Sequence, residues 1–244
     1  MENKKIKFKH KVNYNEVDKN LNLRIDSIFS YLQYAAVTHS EQVGNGTEFL
    51  KSLGYTWILA KLQIEISDLP TFGDEIEIVT WSLGAKGFTA TRDFELKKDG
   101  MVFAKATSVW YFIDLGKRKI VKIPSEIIEK YNSLTIKPNF ESLQKKKFDF
   151  DGNISFSDKI TLRYSDFDSN EHVNNTAYFN YLQTGLFNFK GELPFIESIS
   201  CQFLKEIPQS YKSVNIILSE QDKTGKFLIK DDIDFCTGEY KLRG

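Results

Sequence analysis

Residues 162–187 read L-R-Y-S-D-F-D-S-N-E-H-V-N-N-T-A-Y-F-N-Y-L-Q-T-G-L-F, and residues 12–37 read V-N-Y-N-E-V-D-K-N-L-N-L-R-I-D-S-I-F-S-Y-L-Q-Y-A-A-V. Laid over one another at an offset of 150, they share seven residues without a gap. Tyr14 meets Tyr164, Asp18 meets Asp168, Asn20 meets Asn170 and Phe29 meets Phe179, and Tyr31-Leu32-Gln33 meets Tyr181-Leu182-Gln183. The apolar pairs Val12/Leu162 and Leu23/Val173 fall between them. Self-similarity in one register, with matching apolar positions, reads as a tandem duplication.

The flanking patterns repeat in the same order. Ile6, Phe8, Val12 and Tyr14 fall on one parity across 5–14, as a half-buried strand requires. Asp26-Ser27 offers an N-cap, and Ile25, Phe29, Leu32 and Ala36 form a helical stripe running to about Gly44. Segments 57–66, 75–83, 88–96 and 101–113 are rich in β-branched and aromatic residues and are separated by turn signals such as P-T-F-G-D and K-K-D-G. The second copy offers a strand at 158–164, a helix at about 174–189 and strands near 197–206, 213–219 and 226–235. Leu182, Leu186 and Phe189 carry its helical stripe.

One strand, one long helix and an antiparallel series is the hot-dog arrangement. The expected class is therefore α+β: two tandem hot dogs, each a curled antiparallel sheet around a central helix, supplying within one chain the pairing that single hot dogs make as dimers. The expected boundaries are 1–136 and 154–244, with 137–153 as a linker marked by Lys137-Pro138 and Lys145-Lys146-Lys147. That lysine run, like Gly116-Lys117-Arg118-Lys119, reads as a solvated segment or as a docking patch for an acidic partner.

The composition narrows the function classes. With 33 basic and 33 acidic residues in 244, no overall field gathers nucleic acid. Cys201 and Cys236 fit no disulfide framework or zinc pattern and are expected as reduced thiols. His10, His39 and His172 do not cluster, so no metal or other cofactor is implied. The N-terminus shows no apolar leader, and no run approaches the ~20 apolar residues of a membrane span. The expectation is a soluble, cytoplasmic protein without a membrane or nucleic-acid partner.

The two copies diverge where chemistry would matter. The first reads D-K-N-L-N and the second D-S-N-E-H, so His172 stands where the first copy has Asn22. Only the second copy sets a carboxylate, a carboxamide and an imidazole at Asp168, Asn170 and His172, just ahead of a helix. On an extended segment these alternate residues would share one side. Asn170 and free N–H groups at the helix start can donate toward a developing oxyanion, and His172 or Asp168 can take a proton from water. The same residue types are also ordinary turn and cap residues.

Several motifs resemble one family. D-F-D-S-N-E-H-V-N-N at 166–175 is similar to the D-x-D-x-N-x-H-V-N-N of acyl-acyl carrier protein (acyl-ACP) thioesterases, the plant plastid enzymes and their bacterial relatives. P-T-F-G-D-E-I-E-I-V-T-W (70–81), A-K-A-T-S-V-W (104–110) and K-I-P-S-E-I (122–127) resemble motifs of that family's first hot dog, in family order. The resemblance implies Asp168, Asn170 and His172 as catalytic residues. It adds Glu206, in F-L-K-E-I (203–207), at the glutamate of the family's Y-x-x-E-C. Ile207 occupies the cysteine position, and Cys201 lies outside the match. Without a thiol there, direct attack by water is expected over an acyl-enzyme route.

The resemblance further implies hydrolysis of fatty acyl-ACP to free fatty acid and holo-ACP. The partner would be ACP bearing the acyl chain on phosphopantetheine. The first copy would form the acyl-chain pocket, with Trp57, Leu59 and Phe88 as wall residues by strand parity; ordinary core packing explains these three equally well. The Lys-, Ile- and Asn-rich usage suggests a bacterial source, and a homodimer of tandem hot dogs is a further expectation. Two other readings stay open: an acyl-CoA thioesterase of the same fold, and a non-catalytic acyl-thioester-binding module.

Overall fold

The alternating run near the N-terminus forms strand β1 (Ile6–Lys11) in a computed structural model that describes residues 5–151 and 153–244. The chain divides into two units, at Lys145/Lys146. In the first, β1 is followed by α1 (Ile25–Gln42), α2 (Thr47–Ser52) and strands β2 (Tyr55–Ile66), β3 (Glu75–Lys86), β4 (Thr89–Lys98) and β5 (Met101–Asp114). The short β6 (Lys119–Ile120) and α3 (Ser125–Lys130) close the series. The sheet order is β1-β3-β4-β5-β2, antiparallel throughout, with β6 on β5. Ile25, Ile28, Phe29, Leu32, Ala35 and Ala36 make one buried stripe on α1. Each such aliphatic side chain taken out of water contributes roughly 1.5–3 kcal/mol. The helix starts one residue before the expected Asp26 cap. Arg24 is its N-cap, fixed because its N–H donates to the Glu16 carbonyl at 3.0 Å.

The second unit holds β7 (Phe156–Thr161), α4 (Asn175–Lys190), β8 (Ile196–Phe203), β9 (Ser213–Gln221), β10 (Thr224–Lys230) and β11 (Asp234–Leu242). Its order is β8-β11-β10-β9-β7, again antiparallel. Helix α4 lies close to this sheet: a Cβ on Gly185 would come within 3.0 Å of Ile216. Each unit is a hot dog, one long helix against five main strands. The expected strand at 226–235 is in fact a hairpin, and β11 supplies a full nine-residue last strand between β8 and β10. The expected strand at 197–206 stops at Phe203, which leaves Glu206 in the irregular segment that follows.

Much of the segment expected as a solvated connector is packed. Asn139 donates its N–H to Asp93 at 2.8 Å and its carboxamide to the carbonyls of Phe94 and Ala106, both at 3.2 Å. Leu143 and Phe148 are buried. Asp93, pushed up to about 6 by burial, also accepts from the Thr107 hydroxyl at 2.6 Å. Of the lysine run, Lys146 is committed to Glu239 at 2.7 Å and to Ser200 at 3.1 Å.

Candidate functional site

The stretch between β7 and α4 is built by its own backbone. Phe167 bridges Val173, the Asp168 N–H donates to the His172 carbonyl at 2.9 Å, and the Glu171 N–H donates to the Asp168 carbonyl at 3.1 Å. Glu171 takes φ 62°, the left-handed region that costs a non-glycine residue about 1 kcal/mol or more. The segment is therefore a tight turn, not the extended run expected, and alternation does not set which way its side chains face. Asp168 turns one carboxylate oxygen back onto the Asn170 N–H at 2.8 Å, as aspartate does when it shapes a loop.

A second strip of chain holds this turn in place. Val173 donates to the Ile207 carbonyl at 2.9 Å and His172 bridges Pro208. That pairing brings His172 Nε2 within 3.5 Å of a Glu206 carboxylate oxygen. His172 Nδ1 is buried without a hydrogen-bond partner among the described residues. The side chains are 33% and 52% exposed for His172 and Glu206, so water reaches the pair. Asn170 is exposed, and its carboxamide makes no hydrogen bond among the described residues.

Asn174 caps α4, its side chain accepting from the Thr176 N–H at 3.0 Å. The N–H groups of Val173, Asn174, Thr176 and Ala177 all have partners within the chain. Most of the helix-start donors expected for an oxyanion are thus taken.

Asp166, to which the sequence reading gave no role, braces the turn from beneath. Its buried carboxylate accepts from the Arg163 N–H at 2.9 Å, the Arg163 Nε at 3.0 Å and the Tyr181 hydroxyl at 2.8 Å. The signal was available, since the first copy also has an acid there, Glu16, held by His10 Nε2 at 2.8 Å.

Ile207 and Cys201 are both fully buried. Cys201 lies on β8 beside Cys236 on β11, whose thiol is pushed well up by burial and by Cys201. Of the expected wall residues, Trp57 packs on the core cluster of Leu50, Phe112, Ile123, Ile127 and Tyr131, and its buried Nε1 has no partner among the described residues. Leu59 pairs with Trp110 and is buried. Phe88 lies outside the strands. It sits in the turn between β3 and β4 and is 54% exposed, because β4 begins at Thr89, one residue after the start expected for that strand, and Gly87 turns the chain at φ 65°.

The sequence profile of the acyl-ACP thioesterase N-terminal domain matches residues 3–131, and that of the C-terminal domain matches residues 151–243. The chain belongs to the acyl-ACP thioesterase family. Among curated relatives, a chloroplastic acyl-[acyl-carrier-protein] hydrolase of Cuphea viscosissima is 29% identical over 65% of this chain and 41% of its own length. The oleoyl-acyl carrier protein thioesterase 1 of Arabidopsis thaliana is 29% identical over 68% of this chain and 51% of its own. The matches thus span about half the length of these curated family members or less.

Solved structures share the family fold over the whole chain. An acyl-ACP thioesterase from Bacteroides thetaiotaomicron has a TM-score of 0.82 at 22% identity, covering 98% of both chains. The 12:0-ACP thioesterase from Umbellularia californica has a TM-score of 0.85 at 18% identity, covering 100% of this chain and 98% of its own.

Proposed function

We propose that the second hot dog hydrolyses the thioester that joins a fatty acyl chain to the phosphopantetheine of ACP. The observation that carries this reading is the solvent-accessible His172–Glu206 pair, 3.5 Å apart, with exposed Asn170 two residues before His172 in the same turn. A carboxylate and an imidazole can move a proton between them, and a free carboxamide N–H can stabilise an oxyanion. Glu206 takes a proton as water attacks the carbonyl carbon, and Asn170 donates to the oxyanion. The C–S bond then breaks, and His172 delivers a proton to the departing thiolate. Water's hydroxyl ends on the fatty acid and its proton on the thiol. Asp168 shapes the loop that presents Asn170 and His172.

Buried Ile207 supports water rather than a protein thiol as the nucleophile. The first hot dog is assigned the acyl chain, with Trp57 and Leu59 as candidate wall residues. A reducing, cytoplasmic setting of a bacterial cell fits the unbridged Cys201 and Cys236.

The test is thiol release from acyl-ACP and acyl-CoA over a range of chain lengths, run beside Asn170→Ala and His172→Ala. Turnover on acyl-ACP that falls about 10²-fold or more in both variants is expected. Faster turnover on acyl-CoA would assign the other carrier. Binding without thiol release would mark an acyl-thioester-binding module.

A further inference from the structure

One end of the first hot dog gathers exposed apolar side chains from three turns. Leu53 lies between α2 and β2, Phe88 lies between β3 and β4, Leu115 follows β5, and Ile120 ends β6. All four are between 42% and 54% exposed. Backbone bonds tie the turns together: the Leu115 N–H donates to the Gly54 carbonyl at 2.8 Å, and the Ile123 N–H to the Gly87 carbonyl at 3.3 Å. The pairs Tyr55/Asp114, Thr89/Tyr111 and Ile113/Ile120 set all three at the same end of the sheet. Leu50, Phe112 and Ile123, from the same stretches, are buried in the core. The exposed four are therefore left over from folding.

The charge at this end is one-sided. Residues 51–54, 84–89 and 114–122 carry six basic residues, Lys51, Lys86, Lys117, Arg118, Lys119 and Lys122, and one acid, Asp114, in a chain with 33 of each sign. Asp114 is paired with Lys117 at 3.3 Å. Glu48, Glu126 and Glu129 belong to α2 and α3 rather than to the turns. Apolar tips set among cations suit a partner that offers both hydrocarbon and negative charge. A second copy of this chain would bring like charges together. An acidic protein would meet the cations but would need a matching hollow for tips on three separate turns. A fluid bilayer accepts any spacing of them.

We propose that this end of the first hot dog is a peripheral contact for a bilayer with anionic headgroups. Leu53, Phe88, Leu115 and Ile120 enter the interface, and the lysines and Arg118 meet the lipid phosphates. The expectation of no membrane partner rested on balanced total charge and on the lack of an apolar span, and neither reports on a local surface. Among the described residues no helix is long and apolar enough to cross a membrane, and a surface contact needs none. The proposal is independent of the hydrolase reading.

Co-sedimentation of the full chain with vesicles of equal parts phosphatidylglycerol and phosphatidylcholine, beside vesicles of phosphatidylcholine alone, is the test. Binding should be at least about tenfold tighter on the anionic vesicles, and salt at about 0.5 M should remove most of that difference. The double variants Lys117→Glu/Lys119→Glu and Leu115→Ser/Ile120→Ser should each weaken it about tenfold or more, and Lys9→Glu, on β1, by less than twofold. Equal binding to both vesicles, no binding to either, or an equal loss in Lys9→Glu would overturn the proposal. So would a Lys117→Glu/Lys119→Glu variant that keeps vesicle binding and loses thiol release from acyl-ACP, which would assign the cations to the carrier. Should the double variants not fold, an environment-sensitive fluorophore on Phe88→Cys replaces them, since Cys201 and Cys236 are buried. Its emission should shift to the blue on anionic vesicles, while the same label on Met101→Cys, in the turn at the other end of the sheet, should not respond. The same response at both positions, or at neither, would contradict the proposal.

Discussion

The junctions at 12–37 and 162–187 are the same piece of backbone with different chemistry. Leu21 and Glu171 both take the left-handed conformation, at φ 63° and 62°. Asp18 and Asp168 close the same turn, and each accepts from the N–H two residues on at 2.8 Å. Asn22 bridges Thr71 where His172 bridges Pro208. The fold thus needs the aspartate, the turn and the cross-link to the second strip, and both copies keep them. His172 in place of Asn22, and Glu206 where the first copy has Leu69 just before the Pro70 that accepts from Leu23, are additions the fold does not require. What two duplicated halves share reports on structure, and what only one half has reports on function.

That contrast can be broken most forcefully at Glu206. Glu206→Leu gives the second junction the first junction's residue and should lower kcat by about 10²–10⁴, the range for a general base. Asn170→Ala should cost about 10²–10³ in kcat through loss of an oxyanion donor. Asn20→Ala alters the matching residue of the first junction, and hydrolysis should stay within twofold of wild type. A loss there comparable to that of Asn170→Ala would mean that the halves share the chemistry.

A smaller effect separates the halves by stability. His39, buried in the first unit with Arg92 Nη1 at 2.7 Å, is held down to about 3 by burial and by the arginine's charge. Its folded value lies below its unfolded value of about 6.5. The unfolded chain therefore binds more protons between them, and this contribution is lost as pH falls from about 6.5 toward 3. Asp93, raised to about 6, works the other way, losing stability as pH rises from about 4 to 6. Denaturant unfolding against pH should show a shallower acid-side loss in His39→Gln than in wild type. Asp93→Asn should remove the opposing component.

The duplication, both long helices and most strands were legible because burial imposes a period that survives divergence. Glu206 was reached through the family motif, yet its place beyond the strand was not, since the end of β8 is set by pairing with β11. That strand itself escaped the pattern. In D-F-C-T-G-E-Y-K-L, Gly238 breaks the alternation, and it is glycine because a Cβ would lie 2.5 Å from the Ser200 carbonyl.

The most direct measurement is the single-turnover rate of thiol release from acyl-ACP by His172→Asn, the substitution that turns the second junction's imidazole into the first junction's carboxamide. The account predicts a folded protein with the wild-type melting temperature to within a few degrees, as expected for a near-neutral surface change, and a rate at least about 10²-fold lower. A rate within a few-fold of wild type in that folded variant would contradict it.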